Sequence, residues 1–219
     1  MFKTVLKELG EHAPFTFAGA LSGILLFFLL RNIPFNLSFK LFYTFHPLHV
    51  LLSTFVTTSM YKLHKEKPNL FVLFLIGFVG PLAIATVSDS IIPFIGETLL
   101  RLPHRELHLG FIEEWYIVNP IAFLGVALAY FKPHTKFPHS GHILISTWAS
   151  LFHVLMAADN SVSAFVYLGV LLMLFLSDWI PCCFSDIVFP LLFVKQVQGN
   201  GEGVNEETEK CCCCKAKKI

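Results

Sequence analysis

Residues 70–87 read LFVLFLIGFVGPLAIATV, eighteen consecutive residues without a charged side chain. A run of this length and apolarity is typical of an α-helix that crosses a bilayer, which requires about 20 residues. The composition agrees, because 55% of the 219 residues are hydrophobic and only 14% are charged, whereas soluble domains carry about 25% charged residues. The sequence therefore predicts an integral membrane protein.

Five further apolar runs meet the same length requirement and are separated by polar breaks. We predict an all-α bundle of about six transmembrane helices within one membrane domain, residues 1–195. The predicted spans are residues 13–30, 41–61, 70–87, 112–131, 142–158 and 162–177. A shorter apolar run, residues 187–194, is too short for a separate helical span. It is interpreted as a re-entrant piece, an interfacial helix or the end of one broken helix.

The positions of lysine and arginine predict the orientation of the bundle. With the N-terminus in the cytosol, twelve of the sixteen Lys and Arg residues fall on the cytosolic side and four on the other side. Positive charge is enriched in cytosolic loops of membrane proteins. We therefore predict that both termini are cytosolic and that the segment from His104 to His108 faces the opposite side.

Residues 196–219 are rich in glycine, glutamate and lysine, and we predict a disordered cytosolic tail. Four consecutive cysteines lie there beside a lysine cluster. Three interpretations stay open: S-acylation reinforced by attraction to anionic lipid, loose capture of a soft metal by the thiolates, and no chemical role. The candidate lipidation residues are Cys211, Cys212, Cys213 and Cys214.

Ionisable side chains inside the predicted spans are candidates for function, because burying them in hydrocarbon is costly. In the second span, His46 and His49 share one helical face with Ser53, at spacings of three and four residues. The fifth span repeats the pattern, with His142 and His153 on one stripe. These histidines either bind a ligand or hydrogen-bond to neighbouring helices, and the sequence leaves both interpretations open.

The predicted topology groups the polar side chains into two tiers, one near each membrane face. Four spans contribute to the outer tier, which includes Glu113 and Glu114 at the start of the fourth span. We predict metal ligands in this tier at His46, His49, Asp89 and His153. A possible second tier on the cytosolic side contains His139, His142, Asp178, Cys182 and Asp186. If the chain is helical there, the last three residues share one stripe. Simple exposure at the membrane surface is the alternative for the two aspartates.

Imidazole, carboxylate and thiolate groups together favour a transition metal over Ca²⁺ or Mg²⁺, which take mostly oxygen ligands. The two tiers predict a transporter or channel for Zn²⁺, Mn²⁺, Fe²⁺, Ni²⁺ or Co²⁺, or for protons carried along His and Asp chains. The alternatives are an intramembrane zinc-dependent hydrolase, a b-type haem membrane protein and an accessory membrane subunit.

The expected partners are the lipid bilayer and a metal ion. The net charge of +1 gives no indication of nucleic-acid binding, which requires clustered Lys and Arg on one face. The sequence leaves the oligomeric state open.

Overall fold

The computed structural model describes residues 2–64, 69–134, 136–159, 163–185 and Phe189, without the side chains of residues 2–9, 11, 12, 64, 136–140 and 183. All regular secondary structure in these ranges is helical. The helices in chain order are α1 (Phe2–Leu30), α2 (Phe35–His64), α3 (Leu70–Leu99), α4 (Gly110–Glu113), α5 (Trp115–Phe131), α6 (Lys136–Ala157) and α7 (Ala164–Cys183).

Helix α3 contains two π-helical segments, Leu75–Val79 and Val87–Ile91. The helix continues past Val87, the predicted end of the span, to Leu99. The polar run Ser88-Asp89-Ser90 is fully buried among neighbouring helices and does not end the helix. Asp89 therefore lies inside the helix.

Helix α7 also extends beyond its predicted end at residue 177. It continues through Pro181 to Cys183, although proline lacks the backbone N–H that an interior helical position normally uses. Prolines are tolerated in membrane helices where neighbouring groups satisfy the backbone. The short apolar run at 187–194, apart from Phe189, and the tail at 196–219 lie outside the described residues.

Helix α2 lies at the centre of the bundle, where it packs most extensively against α6 and α5. Helices α2 and α6 are antiparallel, since Phe45 contacts Phe152 while the later residue His49 contacts the earlier His142. Helix α1 packs against α7 and α6 on one side of this pair. Groups from both ends of α6 are thereby placed along the same face of α2.

Helices α2 and α5 approach each other closely at Gly125 of α5. A Cβ atom at this position would lie 2.6 Å from the backbone carbonyl oxygen of Leu51 and would also overlap the Thr54 hydroxyl. Small residues at helix interfaces allow this kind of close backbone approach in membrane proteins. The position therefore requires glycine.

The distribution of apolar and polar side chains is the reverse of that in a soluble protein. Phe71 and Phe165 are exposed over 69% and 73% of their surface, whereas Asp89, His142 and Asp178 are completely buried. In water, such apolar surfaces would be buried and such polar groups exposed. The pattern is that of a helical membrane protein whose apolar surface faces lipid and whose polar groups face one another.

Three helical stretches in the described part of the chain are long and apolar enough to cross a membrane. They are Ala13–Leu30, Leu70–Leu99 and Ala164–Cys182. Two shorter apolar helices, Trp115–Phe131 and Gly141–Ala157, accompany them. Helix α2 is 30 residues long, and its polar side chains make it less apolar than these.

Candidate functional site

Two histidines of α2 meet one carboxylate of α3. The Nδ1 atoms of His46 and His49 lie 2.8 Å and 2.7 Å from the same oxygen, Oδ2 of Asp89. The spacing of three residues puts both imidazoles on one face of the helix, and Pro47 between them does not interrupt it. All three side chains are buried, so the pairing replaces hydration that the carboxylate has lost.

The second carboxylate oxygen of Asp89 faces two hydroxyl groups. Ser88 Oγ lies 2.7 Å and Ser146 Oγ 3.2 Å from Oδ1. An ionised carboxylate offers about four lone-pair sites and no donor. Ser88 and Ser146 have one hydroxyl proton each, and each also has a second acceptor, the Ala85 carbonyl at 3.0 Å and Asp178 Oδ1 at 2.6 Å. Each imidazole can donate its Nδ1–H to this carboxylate, and in that tautomer Nε2 is the nitrogen that has the lone pair.

His49 joins this aspartate to a third histidine. Its Nε2 atom lies 2.7 Å from Nε2 of His142 on α6, and the two rings stack with centroids 4.6 Å apart. Potential ligand atoms of His49, His142 and Cys182 all lie within 4.8 Å of one another, and all three residues are buried. Two nitrogens and one sulfur from three different helices thus converge on one point.

Helix α7 contributes a second buried carboxylate to the same region. Ser146 Oγ lies 2.6 Å from Oδ1 of Asp178, and the Thr147 hydroxyl donates to the other oxygen of that carboxyl group. The Cys182 thiol lies 3.9 Å from Ser146 Oγ. Ser146 therefore connects Asp89, Asp178 and Cys182.

A separate pair of ionisable side chains lies toward the other end of α6. His153 Nδ1 is 2.7 Å from Oε1 of Glu97, and both side chains are buried. The remaining polar atoms of the pair, His153 Nε2 and Glu97 Oε2, have no hydrogen-bond partner among the described residues. The ring of Phe42 stacks on His46 and meets His153 edge-on, with centroids 5.3 Å away in both cases. This ring separates the pair from His46.

Further buried polar groups lie between the Asp89 cluster and the Glu97–His153 pair, and others lie on the far side of the Asp89 cluster. Ser150 of α6 donates to the backbone carbonyl of Ser88 at 3.1 Å, in the interval between Ser146 and His153. At the opposite end, the hydroxyls of Ser53 and Thr57 each lie 3.3 Å from Ser185 Oγ.

We call this set the polar column: His46, His49, Ser53, Thr57, Ser88, Asp89, Glu97, His142, Ser146, Ser150, His153, Asp178, Cys182 and Ser185. Its α6 members alone extend over about 16 Å, at 1.5 Å per helical residue.

The structure brings together three of the four predicted outer ligands. His46, His49 and Asp89 are in direct contact. His153 pairs instead with Glu97, because α3 continues past its predicted end and carries this acidic residue to the level of His153. Glu97 was missed in the sequence, although it is the one charged residue in the apolar run from 91 to 100.

The predicted separation into two tiers was wrong for the described residues. His142 was assigned to the cytosolic tier, yet it contacts His49 of the outer tier directly. Asp178 and Cys182 both reach Ser146, which also contacts Asp89. The structure does not describe the side chains of the remaining predicted residues, which are His139, Asp186, Cys211, Cys212, Cys213 and Cys214.

No protein-family model, no curated protein and no solved structure matches this chain. The chemistry of the polar column is therefore the basis on which its function is argued.

We predict measurable coupling between Glu97 and His153. In a double-mutant cycle of Glu97→Gln and His153→Gln, thermal unfolding in detergent should give a coupling energy of about 1 kcal/mol, within the range for interhelical hydrogen bonds in membranes. Thr98→Val is the matched control, because Thr98 is exposed and bonds only within its own helix, to the Phe94 carbonyl. Equal coupling of His153 to Glu97 and to Thr98 would contradict the pairing.

Proposed function

We propose that this protein is a transporter or channel that carries a divalent transition-metal cation across a membrane. In this proposal, the six long helices all span the bilayer and both termini are cytosolic, as the distribution of Lys and Arg favours. The cation moves along the polar column at the centre of the bundle. The exposed apolar surfaces of the outer helices contact the lipid acyl chains.

The observation that carries the proposal is the charge of the column. Three carboxyl groups, from Asp89, Glu97 and Asp178, are buried, while no Lys or Arg is among the buried side chains that the structure describes. A buried carboxylate is costly unless an opposite charge accompanies it. A passing cation supplies that charge, whereas an anion would meet carboxylates with no fixed positive group.

The donor types in the column favour a transition metal over an alkali or alkaline-earth ion. Imidazole nitrogens and a thiol lie beside the carboxylates, and these ligands suit Zn²⁺, Fe²⁺, Co²⁺ or Ni²⁺ better than Ca²⁺ or Mg²⁺. Hydroxyl groups between the clusters provide intermediate oxygen ligands. An ion can then move between sites without losing all of its ligands at one step.

One end of the bundle contains a cavity that could admit the ion. The cavity has a volume of about 530 Å³, and the α6 residues Leu155 and Met156, just past His153, are in its lining together with Arg31, His104 and Asp159. It therefore adjoins the end of the column that contains the Glu97–His153 pair. This end is the non-cytosolic end under the proposed orientation.

Flux into vesicles tests the proposal. Purified protein in liposomes containing a metal-sensitive dye should take up at least one of Zn²⁺, Mn²⁺, Fe²⁺, Co²⁺ and Ni²⁺ when a membrane potential or pH gradient is imposed. Glu97→Gln should slow this uptake at least ~10-fold, because it removes one buried negative charge worth several kcal/mol to a cation at close range. Thr98→Val, on the adjacent exposed residue, should leave the rate unchanged.

Three outcomes would contradict metal transport. One is the absence of uptake above protein-free vesicles for all five ions under gradients of either sign. Another is proton flux without metal flux, which would favour the chain of bonded His and Asp groups as a proton relay. The third is metal-dependent hydrolysis of a lipid or peptide without flux, which would favour a hydrolase.

A further inference from the structure

The geometry points to a specific metal-binding site within the polar column. We propose that His49, His142 and Cys182 bind a thiophilic divalent cation such as Zn²⁺ or Co²⁺, and that Asp89 orients His49 for this role. The inference rests on the proposed function, because transport is the reason given for this site to bind a metal. Metal binding itself can be measured without any flux.

The convergence of three donor atoms is the first part of the case. The donor atoms come from α2, α6 and α7, and they lie within 4.8 Å of one another. In a tetrahedral zinc site with Zn–N bonds of about 2.0 to 2.1 Å, two nitrogens lie roughly 3.4 Å apart. The Nε2 atoms of His49 and His142 are 2.7 Å apart, so these two nitrogens need to separate by less than ~1 Å to share the ion.

The orientation of His49 is the second part. Its Nδ1–H donates to Asp89 at 2.7 Å, which leaves the lone pair on the Nε2 atom that faces His142. Metal-bound histidines usually donate their other ring N–H to a carboxylate in this way, which fixes the tautomer and raises the basicity of the ligand. Asp89 is therefore a positioning residue for the metal and does not need to touch it.

Charge balance is the third part. On binding, the Cys182 thiol loses its proton and becomes a thiolate, and the proton that His142 shares with His49 moves to the other ring nitrogen of His142. The thiolate and the ionised Asp89 together carry two negative charges, which equal the charge of the cation. Binding therefore leaves no net charge on the group formed by the ion, its three ligands and Asp89, and one proton is released.

The donor set also narrows the class of cation. Two imidazoles and one thiolate favour zinc, cobalt and iron, and they disfavour Mg²⁺, Ca²⁺ and to a lesser extent Mn²⁺, which prefer oxygen ligands. Three protein ligands leave one position of a tetrahedral site open. An open position is what a carried ion requires, because it can exchange ligands there during entry and release.

Cobalt binding in detergent tests the site directly. The full chain should carry Cys211→Ser, Cys212→Ser, Cys213→Ser and Cys214→Ser, so that the tail thiols do not bind metal. In this background, one Co²⁺ per chain should bind and produce a near-ultraviolet thiolate-to-cobalt charge-transfer band, and Zn²⁺ should displace it. Absence of stoichiometric cobalt would overturn the inference.

Substitutions identify the ligands in the same assay. Cys182→Ser should abolish the charge-transfer band, and His142→Ala should weaken Co²⁺ binding at least ~10-fold. Cys183→Ser is the matched control, since it removes a thiol from the same helix, and it should keep the band. Asp89→Asn should retain the band but weaken binding by roughly 10- to 100-fold, as expected for a group that orients a ligand.

Each failure has a separate meaning. A band that survives Cys182→Ser in protein that still elutes as a single species would overturn this site, even if vesicles transport metal. Stoichiometric cobalt that depends on Cys182 and His142, without any flux in vesicles, would support the site and contradict transport.

Discussion

Replacing Asp89 with alanine is expected to have the largest effect on stability of any single change in the polar column. Four groups contact this carboxylate, namely His46, His49, Ser88 and Ser146. Three of these contacts are interhelical, and interhelical hydrogen bonds in membrane proteins are worth about 0.6 kcal/mol on average, so their joint loss should cost roughly 2 kcal/mol. Thermal unfolding in detergent should shift downward by roughly 4 to 8 °C.

Asp89→Asn is the control that separates the loss of hydrogen-bonding atoms from the loss of the carboxylate charge. Its amide oxygen can accept from both imidazoles, while its NH₂ group can donate to the two serine hydroxyls, which are able to act as acceptors. The asparagine variant should therefore recover more than half of the lost stability. Equal unfolding temperatures for the alanine variant and the unmodified protein would show that Asp89 is not the structural centre of this cluster.

Gly125→Leu is expected to be the most destabilising change outside the column. The first side-chain atom would meet the Leu51 carbonyl oxygen at 2.6 Å, and a backbone atom inside α2 cannot rotate away as a side chain can. Overpacking typically costs about 1 to 3 kcal/mol, and a contact with backbone belongs at the upper end of that range. The melting temperature should fall by roughly 10 °C, with a smaller yield of folded protein.

Gly10→Leu provides the matched control for this prediction. A Cβ atom at Gly10 of α1 would meet nothing within 4 Å, so the same substitution should be neutral or slightly stabilising through its better helix propensity. The close approach of α2 and α5 would be contradicted if the two leucine variants melted at the same temperature.

The predicted membrane spans rested on long apolar runs, and three such stretches are helices of spanning length. The face shared by His46 and His49 was also predictable, because helical periodicity fixes it once the segment is a helix. Their contact with Asp89 is the part of the candidate site that sequence reasoning anticipated. The metal-binding role of these residues stays a prediction.

The depth at which a residue lies in the bundle was harder to predict than the helical face that it occupies. Ser88-Asp89-Ser90 resembles the polar end of a span, because a sequence does not show which neighbouring side chains will surround it. Once that end was assumed at Val87, Glu97 fell outside the predicted helix, and His153 was assigned to Asp89. His142 was likewise placed near a surface because its span was thought to begin there, whereas α6 begins at Lys136.

The π-helical segment Val87–Ile91 has a consequence for the length of α3. Three consecutive side chains there, Ser88, Asp89 and Ser90, are all completely buried, although an α-helix turns about 100° between successive residues. A π turn holds more residues per turn, so neighbouring side chains diverge less and can face the same interior. It contains one residue more than the α-helical turn that would replace it.

In terms of sequence length, the π turn is equivalent to one extra residue in an otherwise α-helical segment. A related chain that is one residue shorter between Gly80 and Ile92 would follow an uninterrupted α-helix through this region. Such a chain would keep nearly the same relative rotation of the two halves of the helix, because about five residues of the π turn and the roughly four α-helical residues that would replace them each complete roughly one turn. Glu97 would therefore still face α6. A single-residue gap in α3 would therefore separate chains in which three consecutive polar side chains face the interior from chains in which fewer of them can do so.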